Sequence, residues 1–379
     1  MKSLLYGYSE KRWQILSANR ANIEITPQLV LCFAAKSILE NEPIYETLKA
    51  EFPAAQIAFC STAGEIANNA VSDNSLKVVA LEFEKTGLQS AAINIRDYAS
   101  SYEAGLALVK KLPIEDLSYM LVLSDGHVVN GSELVKGLNE SAPENVLVTG
   151  GLAGDSDNFN STLVGLNQAP SKGEIIAIGL YGKNIKVSHG TRGGWDSFGI
   201  EKVVTKAIGN KLYDLDDKNV LDMYKKYLGP EANHLPASAL LYPLSVLMPG
   251  NTEPIVRTIL SINDEENSLI FAGDIPENSR IRFMKANLDK IITAAGDADQ
   301  DSLLDEHHKP DFSLLVSCVG RKLILGPRTD EEIEAVQEVF GNETTLAGFY
   351  SYGEISPFVK KGDSQLHNQT MTITSFYEL

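Results

Sequence analysis

The chain has 379 residues, enough for two or three domains of about 150 residues each and for a core that needs neither disulfides nor a metal. Hydrophobic residues make up 44% and charged residues 22% of the chain, a balance that excludes bulk disorder. Its 50 acidic and 33 basic residues give a net charge of −17, so we expect no binding to nucleic acid or to anionic membranes.

The N-terminal segment lacks the apolar stretch of a signal peptide, and no apolar run approaches the roughly 18 residues of a membrane span. The three cysteines, Cys32, Cys60 and Cys318, form no Cys-x-x-Cys pair, which argues against a disulfide framework or a zinc site. We therefore expect a cytoplasmic protein.

Apolar runs of strand length recur along the chain, separated by Gly, Asn and Asp. The predicted strands are 29–35, 56–60, 76–83, 119–123, 146–149, 174–180, 268–272, 312–318 and 371–376. Helical periodicity predicts helices over 102–112, 132–138, 216–228, 279–295 and 329–340. This alternation predicts an α/β (mixed α+β) fold with two sheet-containing domains. A glycine-rich stretch near 182–200 places their boundary within 190–230, and we divide the chain into 1–205 and 206–379.

One short motif occurs twice. Residues 60–66 and 350–355 both end in Gly-Glu-Ile after an apolar stretch and a small hydroxylic residue, and both precede a strand. Ala-Gly-Asp also occurs twice, at 153–155 and 272–274. Two similar sheets, presenting Gly-Glu turns at Glu65 and Glu354, would explain the first match. We therefore predict that the two domains are related by internal duplication.

The segment 148–159 leads from a strand into a cluster of glycines, an arrangement typical of loops whose backbone amides approach a ligand. It lacks the spacing and the lysine of phosphate-binding motifs, and Asp155 and Asp157 would repel a phosphate. An acid beside exposed amides instead favours a ligand with an ammonium group, which would face Asp155 with Gly151 and Gly154 alongside. The alternative is a tight turn in which Asp155 caps local amides.

Polar residues also follow the strand at 119–123, where Asp125 and Asn130 would face a ligand from the strand's C-terminal end. Ser132 is placed to cap the helix that follows. The Ser, Asp and His of this segment give little support to a hydrolase, because the chain has no G-x-S-x-G elbow there.

Arg321 lies just past the strand 312–318, where its guanidinium could clamp a carboxylate with two hydrogen bonds. The alternative is an ion pair with an acid such as Glu354 or Glu331. Cys318 has no identifiable base beside it, and we expect a buried, inert thiol.

Acidic residues at 297–308 imitate the opening of a calcium loop, but Ser302 and His308 stand where glycine and glutamate are needed. The histidines form no H-x-x-x-H or H-E-x-x-H pair, so a zinc hydrolase has no support. They are His127, His189, His234, His307, His308 and His367. A haem site requires only one axial histidine, so spacing leaves haem open. The alternative for His367 is a structural histidine.

Taken together, these segments resemble the FIST sensory family, whose N-terminal and C-terminal domains would cover essentially the whole chain. The resemblance rests on short motifs at 61–66, 125–126, 130–131, 150–155, 243–244, 318–321, 348–355 and 366–370. At His127 the family pattern would have an apolar residue, and this chain departs from it. The resemblance implies a signal-input module that binds small ligands, amino acids among them, upstream of chemotaxis receptors, histidine kinases or cyclic-di-nucleotide enzymes. One subset of the family resembles haem-binding nitric oxide sensors that act on a separate histidine kinase.

We therefore expect a cytoplasmic sensor that binds a small polar ligand and signals to a partner such as a histidine kinase or a cyclic-di-nucleotide enzyme. Asp155 would face the ligand's amine and Arg321 its carboxylate. The candidate ligand-binding residues are Gly64, Glu65, Asp125, Asn130, Gly151, Gly154, Asp155, Arg321, Tyr352, Glu354, His367 and Asn368. The alternative is a haem-binding nitric oxide sensor with His367, His189 or His234 as the axial ligand. No acid–base or nucleophile–base pair stands out, so we expect no enzyme activity and no cofactor other than that haem.

Overall fold

The computed structural model describes residues 1–9, 12–20, 24–305, 308–359 and 362–379, and it has a mixed α/β fold. The fold class predicted from the sequence is confirmed. Within the described ranges, no helix is both long enough and apolar enough to cross a bilayer.

The strands form the larger part of the regular structure. In chain order they are β1 (Lys2–Ser9), β2 (Arg12–Ala18), β3 (Leu29–Ala35), β4 (Gln56–Thr62), β5 (Glu65–Ala67), β6 (Ala70–Ser72), β7 (Leu76–Glu82), β8 (Gly87–Asn94), β9 (Leu117–Ser124), β10 (Leu147–Leu152), β11 (Val164–Leu166), β12 (Glu174–Tyr181), β13 (Ile185–Arg192), β14 (Asp196–Ile208), β15 (Lys211–Leu215), β16 (Lys218–Asn219), β17 (Leu244–Leu247), β18 (Ile255–Arg257), β19 (Ile259–Asn263), β20 (Ser268–Phe271), β21 (Arg280–Lys285), β22 (Phe312–Cys318), β23 (Thr345–Ser351), β24 (Gly353–Pro357), β25 (Ser364–His367) and β26 (Met371–Glu378).

The helices are α1 (Lys36–Asn41), α2 (Ile44–Glu51), α3 (Ser101–Lys110), α4 (Gly131–Ser141), α5 (Val220–Leu228), α6 (Leu288–Ser302), α7 (Val319–Leu325) and α8 (Thr329–Phe340). Several begin at a polar residue whose side chain accepts a hydrogen bond from a backbone amide of the first turn. These caps are Ser100 before α3, Asn130 before α4, Asn219 before α5 and Asn287 before α6.

The strands form four sheets. The first has the order β11-β4-β3-β7-β1-β2, the second β25-β24-β10-β9-β12-β8 and the third β13-β26-β22-β23-β5-β6. The fourth has the order β18-β17-β21-β14-β15-β20-β19, with β16 paired to β15.

The first three sheets repeat one arrangement of four strands. It reads β4-β3-β7-β1 in the first sheet, β10-β9-β12-β8 in the second and β23-β22-β26-β13 in the third. In each, the first two strands are parallel and the connection between them is helical, whereas the other two neighbouring pairs are antiparallel. The chain therefore contains three similar units, which we call the first, second and third unit.

Each unit sends a short arm onto the sheet of another unit. The arm β5–β6 of the first unit pairs with β23, β11 of the second unit pairs with β4, and β24–β25 of the third unit pairs with β10. Because every unit gives one arm and receives one, the three units form a closed ring.

The main core lies between the inner faces of the three sheets. Phe33 of the first unit stacks on Phe349 of the third with ring centroids 5.0 Å apart, and Leu121 and Val316 belong to the same buried cluster. Separate apolar clusters fill the outer side of each sheet beneath its helices. Strands such as β3 are buried on both faces, which explains their continuous apolar sequence.

Residues 193–287 interrupt the third unit between β13 and α6 and form the fourth sheet together with α5. This insertion has a core of its own that includes Tyr224 and Phe283. The predicted division between residues 205 and 206 falls within β14. The helix predicted over 279–295 is wrong in its first part, where β21 forms and α6 begins only at Leu288. Ile281 and Phe283 are buried between exposed arginines, a period of two that favours a strand.

Candidate functional site

Three turns meet at the carboxyl ends of the parallel strands, one from each unit. The turns follow β4, β10 and β23 and carry Gly64-Glu65, Gly154-Asp155 and Gly353-Glu354. Backbone hydrogen bonds link them in a ring, from the Ala63 amide to the Tyr350 carbonyl at 2.9 Å, from Gly154 to Ser61 at 2.8 Å and from Tyr352 to Leu152 at 3.2 Å. We call this group the turn ring. Sheet proteins with parallel strands commonly bind ligands at this end of the strands.

All three acids are buried, and two of them are held by hydrogen bonds within their own units. Glu65 accepts hydrogen bonds from the Thr62 hydroxyl and, through Oε2, from the Ser75 amide at 3.1 Å and hydroxyl at 2.7 Å. Glu354 is also fully bonded, and its partners are the Ser351 hydroxyl at 2.7 Å and the Thr370 amide and hydroxyl at 3.2 and 2.9 Å. Burial raises the pKa of Glu65 and raises that of Glu354 to about 8, although these hydrogen bonds oppose the rise.

Asp155, the third acid, is held more loosely. Its carboxylate lies 3.7 Å from the Lys36 ammonium and 3.4 Å from the Asn158 amide nitrogen. Its side chain is shorter by one methylene than the glutamates of the other turns. Gly173 precedes β12, as Ser75 precedes β7 and Thr370 precedes β26, but its backbone amide donates to Asp125 at 2.8 Å and not to Asp155. Asp155 is therefore the acid of the turn ring with the fewest internal hydrogen bonds to lose.

A cleft of about 400 Å³ opens beside the turn ring. Its walls come from all three units and include Ala63, Asp73, Asn74, Ser156, Asp157 and Lys322. The Lys322 ammonium donates to the Ala63 carbonyl at 2.8 Å, pairs with Asp73 and lies 5.7 Å from the centroid of the Tyr350 ring. The Lys322 side chain is 16% exposed, whereas that of Asp73 is 58% exposed. The cleft thus combines one partly buried cation with two exposed acidic side chains, Asp73 and Asp157.

Two glycines make the close approach of the turns possible. A Cβ at Gly154 would lie 2.8 Å from the Ala63 amide nitrogen, which is closer than atoms of this kind can come. Gly64 has a φ of +143°, and a Cβ there would lie 2.7 Å from the Lys322 ammonium. Gly154 therefore allows the turns of the first and second units to pack together, and Gly64 leaves room for the Lys322 ammonium.

Arg321, the predicted clamp for a ligand carboxylate, is fully buried and already donates four hydrogen bonds within the protein. Its guanidinium donates to Glu332 at 2.7 and 3.0 Å and to the carbonyls of Gly193 and Ile291 at 2.7 and 2.8 Å. Glu332 also accepts from Tyr350 at 2.5 Å. Of the two sequence alternatives, the structure contains the ion pair, and its partner is Glu332 instead of Glu354 or Glu331.

Comparison with known proteins supplies the family. Residues 28–218 match the family model of the FIST N domain, and residues 221–357 match that of the FIST C domain. The chain belongs to the FIST family. The resemblance noted from the motifs is confirmed, and with it a sensory role in signal transduction.

The protein is also similar to an uncharacterised protein of Methanocaldococcus jannaschii, with 24% identity over 395 residues covering 90% of this chain and 72% of that protein. A structural comparison with a putative isochorismate synthase, DhbC of Bacillus anthracis, covers 99% of this chain and 90% of that chain at 13% identity. Its TM-score is 0.13.

The two FIST domains share the turn ring. Glu65 and Asp155 lie in the part matched by the N domain, whereas Glu354 lies in the part matched by the C domain. Gly151 of β10 pairs directly with Glu354 of β24. The Tyr352 hydroxyl donates to the Ser156 carbonyl at 3.3 Å and its ring stacks on Phe159. The turn ring and its strand pairing bring together seven of the predicted residues, none of which lines the cleft: Gly64, Glu65, Gly151, Gly154, Asp155, Tyr352 and Glu354.

Asp125 and Asn130 of the FIST N domain support local structure. Asp125 is buried and accepts from the amides of His127 and Val128 at 2.7 and 2.9 Å, as well as from Gly173. The Asn130 side chain caps α4 and also donates to Asp274 of the insertion at 3.4 Å. Neither residue lines the cleft beside the turn ring.

His367 and Asn368 of the last arm are buried beside Glu354. The Nε2 atom of His367 lies 2.9 Å from the Ser356 carbonyl, and burial lowers its pKa to about 4. Among the described residues, His367 Nδ1 and both side-chain polar atoms of Asn368 have no hydrogen-bond partner. Unpartnered buried polar atoms are costly, so this corner of the FIST fold has unused hydrogen-bonding capacity.

The other two candidate haem ligands differ in their surroundings. His234 is 71% exposed and lies 3.5 Å from Glu231. His189 is buried on β13, where its Nε2 lies 3.0 Å from the Pro357 carbonyl, and it lines two neighbouring cavities of about 330 and 590 Å³. The walls of the larger cavity combine apolar side chains such as Leu303 and Leu304 with polar ones such as Glu144. His307 lies outside the described residues. Within the described ranges, no group of three or more His, Cys, Asp or Glu side chains could hold a metal ion.

The main residue missed from the sequence is Lys322. It stands next to Arg321 in the segment that was singled out, but the pattern does not tell which of two adjacent basic residues faces solvent. The start of α7 decides this, because Arg321 turns toward Glu332 in the core and Lys322 toward the cleft.

Proposed function

We propose that this protein is a sensor that binds a small zwitterion, such as an amino acid, in the cleft beside the turn ring. The observation that carries the proposal is the presence of Lys322 and Asp157 on the walls of one cleft of about 400 Å³. A pocket with a few placed charges in such a volume suits a small polar molecule. Lys322 takes the carboxylate-binding role that the sequence suggested for Arg321.

The ligand's carboxylate would replace Asp73 at Lys322. Asp73 is largely exposed, and exposed ion pairs contribute only about 0–1 kcal/mol, so the exchange costs little. The ligand's ammonium would then be attracted to Asp157 on the cleft wall, whereas Asp155 lies behind that wall and faces Lys36. An acidic protein with a net charge of −17 also favours a ligand that carries a positive group.

The position of the cleft between the three units supports a role for the bound ligand in signalling. Ala63 belongs to the first unit, Ser156 and Asp157 to the second and Lys322 to the third. A ligand that contacts all three changes the relative stability of their arrangements, which is the requirement for passing a signal to another protein. We propose a partner such as a histidine kinase or a cyclic-di-nucleotide enzyme, a cytoplasmic location and no catalytic activity.

Isothermal titration of the full chain with a panel of amino acids tests the proposal. We expect saturable heat with at least one of them and a loss of about tenfold or more in affinity for Lys322→Gln, since hydrogen bonds to charged groups contribute about 1.5–3 kcal/mol. Lys226→Gln is the matched control, because Lys226 lines a separate groove on the insertion. No heat with any amino acid, or equal affinity of the Lys322 and Lys226 variants, would overturn the proposal.

A second candidate function is a haem-based gas sensor that uses His189. The larger cavity beside His189 combines an imidazole with several apolar side chains, and haem binding would require a ring nitrogen of His189 to exchange its present partner, such as the Pro357 carbonyl, for iron. Bound haem would supply the iron for nitric oxide. We expect a Soret band that is lost in His189→Ala and kept in His234→Ala. A haem spectrum unchanged in His189→Ala would exclude this site.

A further inference from the structure

A second cavity, of about 260 Å³, lies between the insertion and the second unit. Its walls come from α4, from β18 and the loop after β20, and from the start of β25. It contains a buried cation, Arg257, which is 2% exposed and lies far along the chain from the residues of the turn ring.

Within the part of the chain that the structure describes, Arg257 is bonded only to backbone carbonyls. Its Nη1 donates to Leu366 at 2.8 Å and to Val256 at 3.5 Å, and its Nε donates to Asp274 at 3.3 Å. Among the described residues, Nη2 has no acceptor and the guanidinium forms no ion pair. The nearest acid, Asp274, instead turns its carboxylate toward Lys136 and Asn130. Asp274 and Glu354 attract this guanidinium from a distance, but within the described residues neither forms an ion pair with it. An anion in the cavity would be a direct partner that offsets part of the cost of burying the charge.

The other side chains of the cavity wall limit which anions could bind. Asp274, Asp363 and Lys136 line it, so with Arg257 the wall carries two positive and two negative side chains, a balance that favours a monoanion over a dianion such as phosphate. The side-chain oxygen of Gln365 is buried, lines the cavity and lacks a donor among the described residues. A matching ligand therefore carries one carboxylate for Arg257 and one hydroxyl or amino group that donates to Gln365.

We infer that this cavity is a second ligand site, for a small carboxylate that carries a hydroxyl or amino group. Arg257 holds the carboxylate through Nη2, and Gln365 accepts from the second group. Because Arg257 joins Asp274 of the insertion to Leu366 of the third unit's arm, an occupied site stabilises the contact between the insertion and the ring of units. The inference is independent of the zwitterion proposed for the turn ring.

Titration of the full chain with L-lactate tests the inference, because lactate lacks the ammonium that the turn-ring cleft requires. We expect saturable binding, weaker binding of acetate and weaker binding of inorganic phosphate. Arg257→Gln is expected to reduce lactate affinity about tenfold or more, as for a lost hydrogen bond to a charged group. Arg282→Gln, an exposed arginine of the same sheet, and Lys322→Gln are expected to leave it unchanged.

A second variant keeps the inference testable if Arg257→Gln fails to fold. Gln365→Met keeps the guanidinium and removes only the acceptor, so it should weaken lactate binding and leave acetate binding unchanged. Equal lactate affinity in wild type and in a folded Arg257 variant would overturn the inference. So would phosphate binding more tightly than lactate, or the absence of saturable binding by any of these anions.

Discussion

Glu65 and Glu354 occupy the same place in two different units. Each accepts a hydrogen bond from the hydroxyl three residues earlier and from both the amide and the hydroxyl of the residue that precedes the unit's last strand. Their separation of nearly three hundred residues along the chain makes this match a property of the repeated unit. Asp155 has the corresponding place in the second unit but makes none of these bonds.

The raised pKa of Glu354 predicts a pH dependence of stability. Burial moves this pKa from 4.5 to about 8, so in this range the folded protein holds a proton that the unfolded chain has released. The free energy of unfolding should therefore fall as pH rises from 4.5 to 8, by up to about 1.4 kcal/mol per pH unit for this group. Urea denaturation at several pH values should show a flatter profile for Glu354→Gln. Glu338→Gln, an exposed change, should keep the wild-type profile.

The buried ion pair of Arg321 and Glu332 predicts a large loss on breaking it from one side. Both side chains are fully buried, so Glu332→Gln or Arg321→Met leaves an uncompensated charge or a broken network and should cost about 3–5 kcal/mol. The double variant should cost less than the sum of the single ones. Urea denaturation measures all three. Additive losses would show that the two side chains do not depend on each other.

The close approach of the turns predicts that Gly154→Ala is destabilising. The new methyl group would meet the Ala63 amide at 2.8 Å, and relief of such overpacking costs about 1–3 kcal/mol. Gly296→Ala is the matched control, because a Cβ at this position in α6 has its nearest neighbour at 3.5 Å. That change should be neutral or stabilise by about 0.5–1 kcal/mol, since alanine favours a helix. Thermal denaturation distinguishes the two, and equal shifts would contradict the packing argument.

The buried carboxyl group of Asp299 leads us to expect that Asp299→Asn stabilises the folded protein. This side chain of α6 is buried, neither of its oxygens has a hydrogen-bond partner among the described residues, and burial raises its pKa from 3.8 to about 9. Its contribution therefore becomes unfavourable as pH rises through this interval, because the unfolded chain releases the proton first. Asp299→Asn should raise the free energy of unfolding at pH 8 more than at pH 5. An unchanged difference between the two pH values would show that Asp299 does not hold its proton.

The sequence predicted the Gly-Glu turns because glycine, glutamate and a preceding hydroxyl are retained together in two of them. The third turn has only the glycine and an acid in common with the others, and Leu152 replaces the hydroxyl, so a comparison of short motifs found two repeats where the structure has three. Strands such as β3 were predicted closely because burial on both faces gives a continuous apolar run. Hydrogen-bond partners of Arg321 and Arg257, such as Ile291 and Leu366, lie far away in sequence, so no local sequence pattern could predict them.

The exchanged arms make the two family domains mutually dependent during folding. β23, which receives the arm of the first unit, and β24, which covers the edge of β10, are both made after residue 344. During synthesis, the β10 edge of the second sheet and the arm β5–β6 of the first unit therefore lack their partners and can pair with other chains until the last part of the sequence emerges. A fragment ending near residue 205 would keep this state permanently. We expect such a fragment to aggregate, and the sensor to be obtainable only as one continuous chain.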